Sequence, residues 1–439
     1  MPFAEPPITW ARCCGRSELE FLAEELLAMA FGEGRDDDAL REAWRRFCER
    51  LQAAGDRVFK DFNPPAPLHR ADAFRFLTQN LGQAFDLGLE TKDTRYPVLH
   101  TFVTPYCKLG GDCADFVYQQ AWIDGNSVYK ISGNRGTARF LNFTVQGPRP
   151  ETQPGTNSPS LHEPFGDIPE ANLFGHQLEA QWDGSFELYI GGAKRAPNWL
   201  PTTPGSRKLF LRQGFDRWSE LPARMRIERV GMTEPPPVPT PEVMMRGMDW
   251  AGEFVTGLMN DWPDHPYKYS GAVVDPVNVN AFPPEPKGDT ASDRRRGRAV
   301  AHMCWQLAPD EALIVEFGSH DGFWMMTNAG VFFNSMDYLY RPVSYTPGRT
   351  KIDGDGKIRL ILCPDDPGYH NWMDTQGFER GNLTYRNLMS DAHTAFRTQV
   401  VKRSHLAQAL PADTAAVSPE QRVRQLRERF DGIRLRYGL

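Results

Sequence analysis

Apolar positions repeat with a helical period through residues 17–89. Ser17 and Glu20 have the spacing of a capping box ahead of the apolar run LEFLAEELLAMAF, which predicts a first helix. A second helix is predicted to open at Asp36–Asp38 and to end at Gly55. Its apolar stripe consists of Leu40, Trp44, Phe47, Leu51 and Ala54. A third helix is predicted over Ala71–Phe85.

From about residue 96 the pattern changes to the alternation that is typical of β-strands. A hairpin turn is predicted at Asp124–Asn126 and a second turn at Gly133–Gly136. In the strand that follows, one face carries Leu141, Phe143 and Val145, and the other carries Asn142, Thr144 and Gln146. This polar face either lines a pocket or faces water. Further strands are predicted at Phe186–Ile190, Lys208–Gln213 and Arg224–Val230.

The second half of the chain begins with a Pro-rich stretch at Thr233–Glu242. Thr240 and Pro241 predict the N-terminus of a helix there, because Thr is a good N-cap and Pro suits the first helical position. A second connector covers roughly residues 274–298. Strands are then predicted at Ala312–Phe317, Gly322–Phe333 and Lys357–Cys363. A capping box at Ser418 predicts a final helix with a strongly charged face.

Two segments of the chain repeat each other. WDGSFELYIGG, from Trp182, aligns with GDGKIRLILCP, from Gly354, and their Asp-Gly pairs lie 172 residues apart. The Asn-Trp pairs that follow, at Asn198 and Asn371, lie 173 residues apart. This near-constant offset predicts two copies of one unit, each with an Asp-Gly turn, a strand and an Asn-Trp loop.

Composition narrows the possible partners. The chain of 439 residues has a net charge of −6 and a pI near 6.0, which disfavours a nucleic-acid partner. No apolar stretch reaches membrane-spanning length, and the N-terminus lacks the pattern of a signal peptide. The seven cysteines have no zinc-type spacing. We therefore expect a cytoplasmic protein without metal or cofactor, in which a homo-oligomer is possible.

Three stretches carry a resemblance to a known family. They are CADFVYQQAWIDGNSVYKISGNRGTARFLNF, LFLRQGFDRWSELPARMRIERV and DGDGKIRLILCPDDPGYHNWMDTQG. With the spacing between them, they resemble the domain-of-unknown-function 1214 family, often found with its companion 1254. The positions that match are Asp115, Tyr118, Arg135, Arg212, Asp216, Trp218, Pro367, Asn371, Trp372, Asp374 and Thr375. Cys113 departs from the family, which has Asn at this position.

The resemblance implies two tandem β-sandwich domains and no known reaction. Together with the patterns above, it predicts a mainly β protein with helical additions and two jelly-roll-like sandwiches. The expected divisions are a helical region at 1–95, a first sandwich at 96–232, a linker and helix at 233–299, a second sandwich at 300–400 and a C-terminal tail and helix at 401–439.

Differences between the two copies indicate candidate catalytic residues. Asn, Trp and Thr occur in both copies, which favours a structural role for them. His370 and Asp374 face Pro197 and Pro201 in the first copy, so they are candidates for function. His320 and Asp321 form a second His/Asp pair in the same unit. If the loops meet at one end of the sandwich, these four residues supply an acid and a base. Each of the four also has an ordinary structural explanation as a cap or a loop residue.

Candidate substrate-binding residues come from the resemblance and from the first long strand. They are Trp372, Asn371, Asp115, Tyr118, Arg135, Arg139, Asn142 and Arg212. Two function classes remain open. The first is a cofactor-free acid–base enzyme, a hydrolase or lyase that resembles a glycosidase and acts on a small neutral or carbohydrate-like molecule. The second is a non-catalytic binding protein for an apolar small molecule.

Overall fold

The computed structural model describes residues 34, 36–148, 167–263, 279–282, 298–388, 390, 392 and 394–439. The helix predicted from the capping box at Ser17 lies outside the described residues, as does most of the connector at 274–298. All structural statements below concern the described residues.

Five α-helices and seventeen strands are present in the described part of the chain. The helices are α1 (Asp37–Asp56), α2 (Pro67–Phe85), α3 (Pro241–Asp261), α4 (Leu406–Ala409) and α5 (Pro419–Tyr437). The strands of the first half are β1 (His100–Val103), β2 (Phe116–Trp122), β3 (Tyr129–Asn134), β4 (Phe140–Pro148), β5 (Asp167–Phe174), β6 (Ser185–Ile190), β7 (Trp199–Leu200), β8 (Lys208–Gly214) and β9 (Arg224–Arg229). Those of the second half are β10 (Arg298–Gln306), β11 (Glu311–Gly318), β12 (Phe323–Ala329), β13 (Ser344–Tyr345), β14 (Lys357–Cys363), β15 (Trp372–Asp374), β16 (Arg380–Leu388) and β17 (Phe396–Lys402).

The helices α1, α2 and α3 pack together at one side of the sheets. The second predicted helix is confirmed as α1, and its buried positions are Ala43, Phe47 and Ala54. Trp44, expected in the apolar stripe, is exposed instead. The predicted start of α3 is confirmed, because the Thr240 side chain accepts a hydrogen bond from the Val243 amide.

Each half of the chain contains two β-sheets, as the sequence predicts. In the first half the strand orders are β1-β2-β8-β4-β5 and β7-β6-β3-β9, and these sheets share the core of Leu141, Phe143, Ile131 and Leu188. In the second half the orders are β10-β16-β12-β13 and β15-β14-β11-β17. Apart from β1, the strands β2–β9 of the first half and β10–β17 of the second half correspond one to one, both in their order along the chain and in their places in the sheets. The internal repeat is therefore a structural duplication.

The two Asn-Trp loops make the same contacts in both copies. Asn198 Nδ2 donates to the carbonyls of Glu179 and Glu187, and its Oδ1 accepts from the Glu179 amide. Asn371 makes the same three bonds, with the backbone of Lys351 and Arg359. The Trp beside each Asn donates through Nε1 to a carbonyl at the end of the neighbouring strand, Gly191 O or Cys363 O. Each loop is thereby fixed to its sheet by buried hydrogen bonds.

The two halves pack against each other through apolar side chains. Phe116 and Phe140 of the first half join Phe323, Met325 and Leu388 of the second half in one buried cluster. The helix α5 packs on the second half, where its residue Ile433 is part of the core. Its predicted capping box is confirmed, since Ser418 and Gln421 bond each other reciprocally.

We predict that Asn198→Ala and Asn371→Ala each lower the free energy of unfolding by about 2–4 kcal/mol, because each removes three hydrogen bonds and leaves buried backbone groups unpaired. Denaturant unfolding monitored by circular dichroism measures the loss. Asn126→Ala is the control, since Asn126 bonds only within an exposed turn, and we expect it to cost less than about 1 kcal/mol. A large loss for one loop and none for the other would contradict the structural equivalence.

Candidate functional site

Three of the predicted binding residues lie side by side on the first sheet. Tyr118 of β2 pairs with Arg212 of β8, which pairs in turn with Asn142 of β4. Asn142 Oδ1 accepts from Arg212 Nη2 at 2.7 Å and from Thr144 Oγ1 at 2.7 Å. Asn142 and Thr144 are buried, so these two positions of the polar face do not face water, and Gln146 is half-buried. Thr144 and Asn142 also bond Asn172 of β5, which completes a hydrogen-bonded network.

The two predicted arginines next to this strand lie elsewhere. Arg139 is exposed at the start of β4, where Nη1 contacts Asp216 Oδ2 at 2.7 Å and Nη2 donates to the Asp321 carbonyl at 3.1 Å. Arg135 is half-buried in the turn after β3. Neither side chain is bonded to Asn142 or Arg212 in the structure as described.

The four predicted catalytic residues make separate contacts in the described structure. His320 Nε2 lies 2.8 Å from Tyr385 Oη, and its Nδ1 accepts from the Gly322 amide, so the proton is on Nε2. Burial lowers the pKa of His320, which keeps it neutral. Asp321 is exposed next to it. No hydrogen bond or ion pair of the described residues joins this pair to His370 or Asp374.

The Asp374 carboxylate contacts Arg341 and Gln376. Its Oδ2 lies 2.8 Å from Arg341 Nη1, and its Oδ1 accepts from the amide of Gln376 at 2.7 Å. Gln376 has a φ of 57°, a left-handed conformation that a side-chain cap helps to hold. Burial raises the pKa of Asp374 above its usual value. In this position the carboxylate caps a turn, and it is separate from the pocket described next.

His370 lines a partly open pocket of about 180 Å³. The pocket lies between the loop that carries Trp218, the segment from Pro342 to Lys351, His370 itself and the helix α5. Three cationic side chains line it, Arg349, Lys351 and Arg429, and we call it the cationic pocket. His370 Nδ1 lies 3.1 Å from Asn371 Oδ1, which already accepts from the Lys351 amide, so Nδ1 is the donor. Burial lowers the pKa of His370 and favours the neutral ring.

Behind the pocket lies a buried ion cluster centred on Asp115, a predicted binding residue. Asp115 is completely buried, and its Oδ1 is 2.5 Å from Arg349 Nη2 and 3.6 Å from Arg436 Nη1. These contacts are within ion-pair distance, although they do not follow hydrogen-bond directions. Burial alone raises the pKa of Asp115, but the nearby guanidinium groups of Arg349, Arg436 and Arg429 outweigh it and lower that pKa.

Trp218 holds the same three arginines by cation–π contact. The centroid of its ring lies 4.0 Å from the guanidinium carbon of Arg349, 4.8 Å from that of Arg429 and 4.6 Å from that of Arg436. Asp216 supports the arrangement, since its carbonyl accepts from Arg349 Nε and its carboxylate accepts from the Gly348 amide. Asp216 and Trp218 both belong to the stretch that carried the resemblance.

Sequence reasoning missed the buried arginines of α5, of which Arg429 lines the pocket. Arg422, Arg429 and Arg436 recur every seven residues in α5, and all three are buried. A seven-residue spacing places side chains on one face of a helix after two turns. This regular spacing was the available signal, but the sequence analysis noted only a strongly charged face on this helix.

Two further features limit the kinds of site present. In the part of the chain that the structure describes, no group of three His, Cys, Asp or Glu side chains is placed to hold a metal ion. The helices among the described residues are all too short or too polar to cross a membrane.

The comparisons with known proteins agree with the fold and leave the activity open. Residues 118–213 match the family described as protein of unknown function (DUF1214). The crystal structure of an uncharacterized protein from Burkholderia cenocepacia is similar, with 29% identity and a TM-score of 0.73 over 82% of this chain and 97% of that chain. A protein from Vibrio parahaemolyticus matches at 11% identity over 75% of this chain and 98% of that one, and its TM-score of 0.39 is too low to support an argument. No curated protein matches this chain.

We predict that Asp115→Asn lowers the free energy of unfolding by about 3–5 kcal/mol, because it leaves buried guanidinium groups without their carboxylate. Denaturant unfolding measures this loss. The matched control is Asp321→Asn, which removes an exposed carboxylate, and we expect a change within about 0.5 kcal/mol. Equal, small effects of the two variants would show that the ion cluster does not stabilise the fold.

Proposed function

We propose that this chain, which carries a DUF1214 domain at residues 118–213, is a small-molecule-binding protein whose ligand occupies the cationic pocket. The observation that carries the proposal is that polar side chains from three separate segments, together with Trp218 from a fourth, converge on one partly open pocket. Small-molecule sites are typically concave, with a few precisely placed polar groups and aromatic walls. Trp218 and Tyr345 supply the aromatic surfaces here.

The dimensions of the pocket favour a small ligand. At about 180 Å³ it has the volume of roughly six liquid-water molecules, which is below the range of drug-sized sites. Its walls are held by hydrogen bonds, as where Tyr345 Oη donates to the His370 carbonyl at 2.6 Å and Gln425 Nε2 donates to that carbonyl at 3.2 Å. A pocket with fixed walls loses little conformational entropy when a ligand binds.

Two larger grooves are weaker candidates for the site. They measure about 780 and 550 Å³ and follow the outer face of the sheet β7-β6-β3-β9. Their side chains pair with each other across the sheet surface, as Lys130 does with Glu228 at 2.9 Å. Such paired charges are typical of a solvated sheet face, so we place the ligand in the smaller and more enclosed pocket.

This proposal follows the second function class expected from the sequence, with one change. A binding protein was expected to take an apolar ligand, but the pocket walls are charged, so we propose a polar ligand. The acid–base enzyme remains a second candidate at the same place, because His370 and the carboxylate of Glu428 both line the pocket. In that role His370, neutral at pH 7, is the proposed base.

We predict that a set of small polar metabolites contains a compound that raises the melting temperature of the wild-type protein by a few degrees at saturating concentration. Gln425→Trp fills the pocket from α5 and is expected to abolish this shift. Val423→Trp places the same side chain at an exposed position of the same helix and is expected to retain it. Differential scanning fluorimetry measures both shifts, and the depletion of any hit, followed by mass spectrometry, tests for turnover.

A second blocking variant protects this test against misfolding. Lys351→Trp approaches the pocket from its exposed wall, where the substitution disturbs little packing. A ligand shift that survives in both blocking variants would place the ligand elsewhere and contradict the proposal. A shift lost equally in Val423→Trp would show that any Trp on the helix has this effect, which would also contradict it.

A further inference from the structure

We infer that the ligand of the cationic pocket is a small oxyanion, bound through a carboxylate or phosphate group by Arg349 and Arg429. This inference rests on the proposed function and names the chemical class of the ligand. It depends on the charges of the lining, on a buried donor without a partner and on the way in which the guanidinium groups are held.

The lining carries an excess of positive charge. Arg349, Lys351 and Arg429 line the pocket, while Glu428 is the single acidic residue among its lining residues. Asp115, behind the wall, is already in contact with both Arg349 and Arg436. A cavity with more cations than anions favours a negatively charged ligand, since Coulomb attraction is strong where water is partly excluded.

Arg349 has a hydrogen-bond donor that the protein does not use. Its side chain is only 8% exposed. Its Nε donates to Thr346 Oγ1 at 2.9 Å and to the Asp216 carbonyl at 3.1 Å, and its Nη2 contacts Asp115. Its Nη1 is buried and has no hydrogen-bond partner in the described structure. An unpaired buried donor is costly. It also leaves the positive charge of Arg349 only partly compensated, which favours an anion in the pocket that Arg349 lines.

The second guanidinium group is held in a similar way. Arg429 Nη2 donates to the Ser344 carbonyl at 2.8 Å, and its Nη1 lies 3.4 Å from Ser344 Oγ. Both Arg349 and Arg429 also stack on Trp218, so neither side chain has to be ordered on binding. Guanidinium groups fixed in this way match the geometry of carboxylate and phosphate oxygens.

The electrostatics of Arg429 agree with this reasoning. Burial and, to a smaller extent, the nearby Arg349 lower its pKa to about 9. Two cations at short range in a buried place repel each other, and an anion bound to both reduces the repulsion. Ligand binding is therefore expected to raise the pKa of Arg429 towards its ordinary value.

The test compares malonate with malonamide, a neutral molecule of nearly the same shape. Isothermal titration calorimetry of the full-length protein, at constant ionic strength set with sodium chloride, measures both affinities. We expect malonate to bind at least about tenfold more tightly than malonamide, which corresponds to one charge-assisted contact. Inorganic phosphate is titrated in parallel and identifies whether carboxylate or phosphate is preferred.

A charge-matched pair of variants locates the binding site. Lys351→Met removes a cation that lines the pocket but leaves the Asp115 cluster intact, and we expect malonate affinity to fall about tenfold. Arg427→Met removes the same charge from an exposed position of α5 outside the lining, and we expect a change below about twofold. Equal losses in the two variants would mean that only long-range attraction operates, which would overturn the inference.

The outcomes separate this inference from the proposed function. If malonamide binds as tightly as malonate or phosphate, and this binding is lost in Gln425→Trp, the oxyanion inference is wrong while the pocket remains a binding site. A second outcome leads to the same conclusion: no oxyanion binds, but a neutral metabolite shifts the melting temperature of the wild type and not that of Gln425→Trp. Oxyanion binding that persists in Gln425→Trp would overturn both.

Discussion

The buried carboxylate of Asp115 is the constraint on which the arrangement of the C-terminal half depends. It lies just before β2 in the first half, yet its partners Arg349 and Arg436 come from a loop of the second half and from the last helix. A charge without exposure to solvent requires a partner, and a guanidinium group in the same place requires one as well. The three segments must therefore meet for any of these charges to be tolerated. Trp218 adds a flat surface on which the arginines stack.

Among the described residues, the two copies differ in what covers the outer face of their four-stranded sheets. In both halves the same four-stranded order recurs, with Trp199 next to Tyr189 in the first copy and Trp372 next to Ile361 in the second. The outer face in the second copy is apolar and is covered by Leu406 and Leu410. In the first copy this face is charged and open. The C-terminal segment thus has an apolar surface to pack on in the second half alone, and α5 follows it into place beside the loop that carries Arg349.

Much of the fold followed from the sequence, because its signals are local. The Asp-Gly turns, the alternation along β4 and the caps at Thr240 and Ser418 each depend on neighbouring residues, and all were found where expected. The candidate site depends on residues that are far apart, such as Asp115, Trp218, Arg349 and Arg429, and no local pattern joins them. The comparison of the two copies did identify His370, which lines the pocket. It also identified Asp374, which stands where the first copy has Pro201. Here the carboxylate contacts Arg341 and caps the turn at Gln376.

Under the proposed function, ligand binding and the docking of the last helix form one linked equilibrium. Arg422 of α5 bonds the carboxylate of Asp366, and Arg429 bonds Ser344, so the helix is attached at two points on the second half. Gln425, Glu428 and Arg429 of this helix form one wall of the pocket, which therefore exists only while the helix is docked. A ligand that binds only when the helix is docked must also stabilise the docked helix. By linkage, the free energy that the ligand adds to docking equals the free energy that docking adds to ligand binding. The excess positive charge in the pocket opposes docking through repulsion between Arg349 and Arg429, and a bound anion would remove that opposition. The repulsion between Arg349 and Arg429 would therefore couple the binding of an anionic ligand to the docking of the helix.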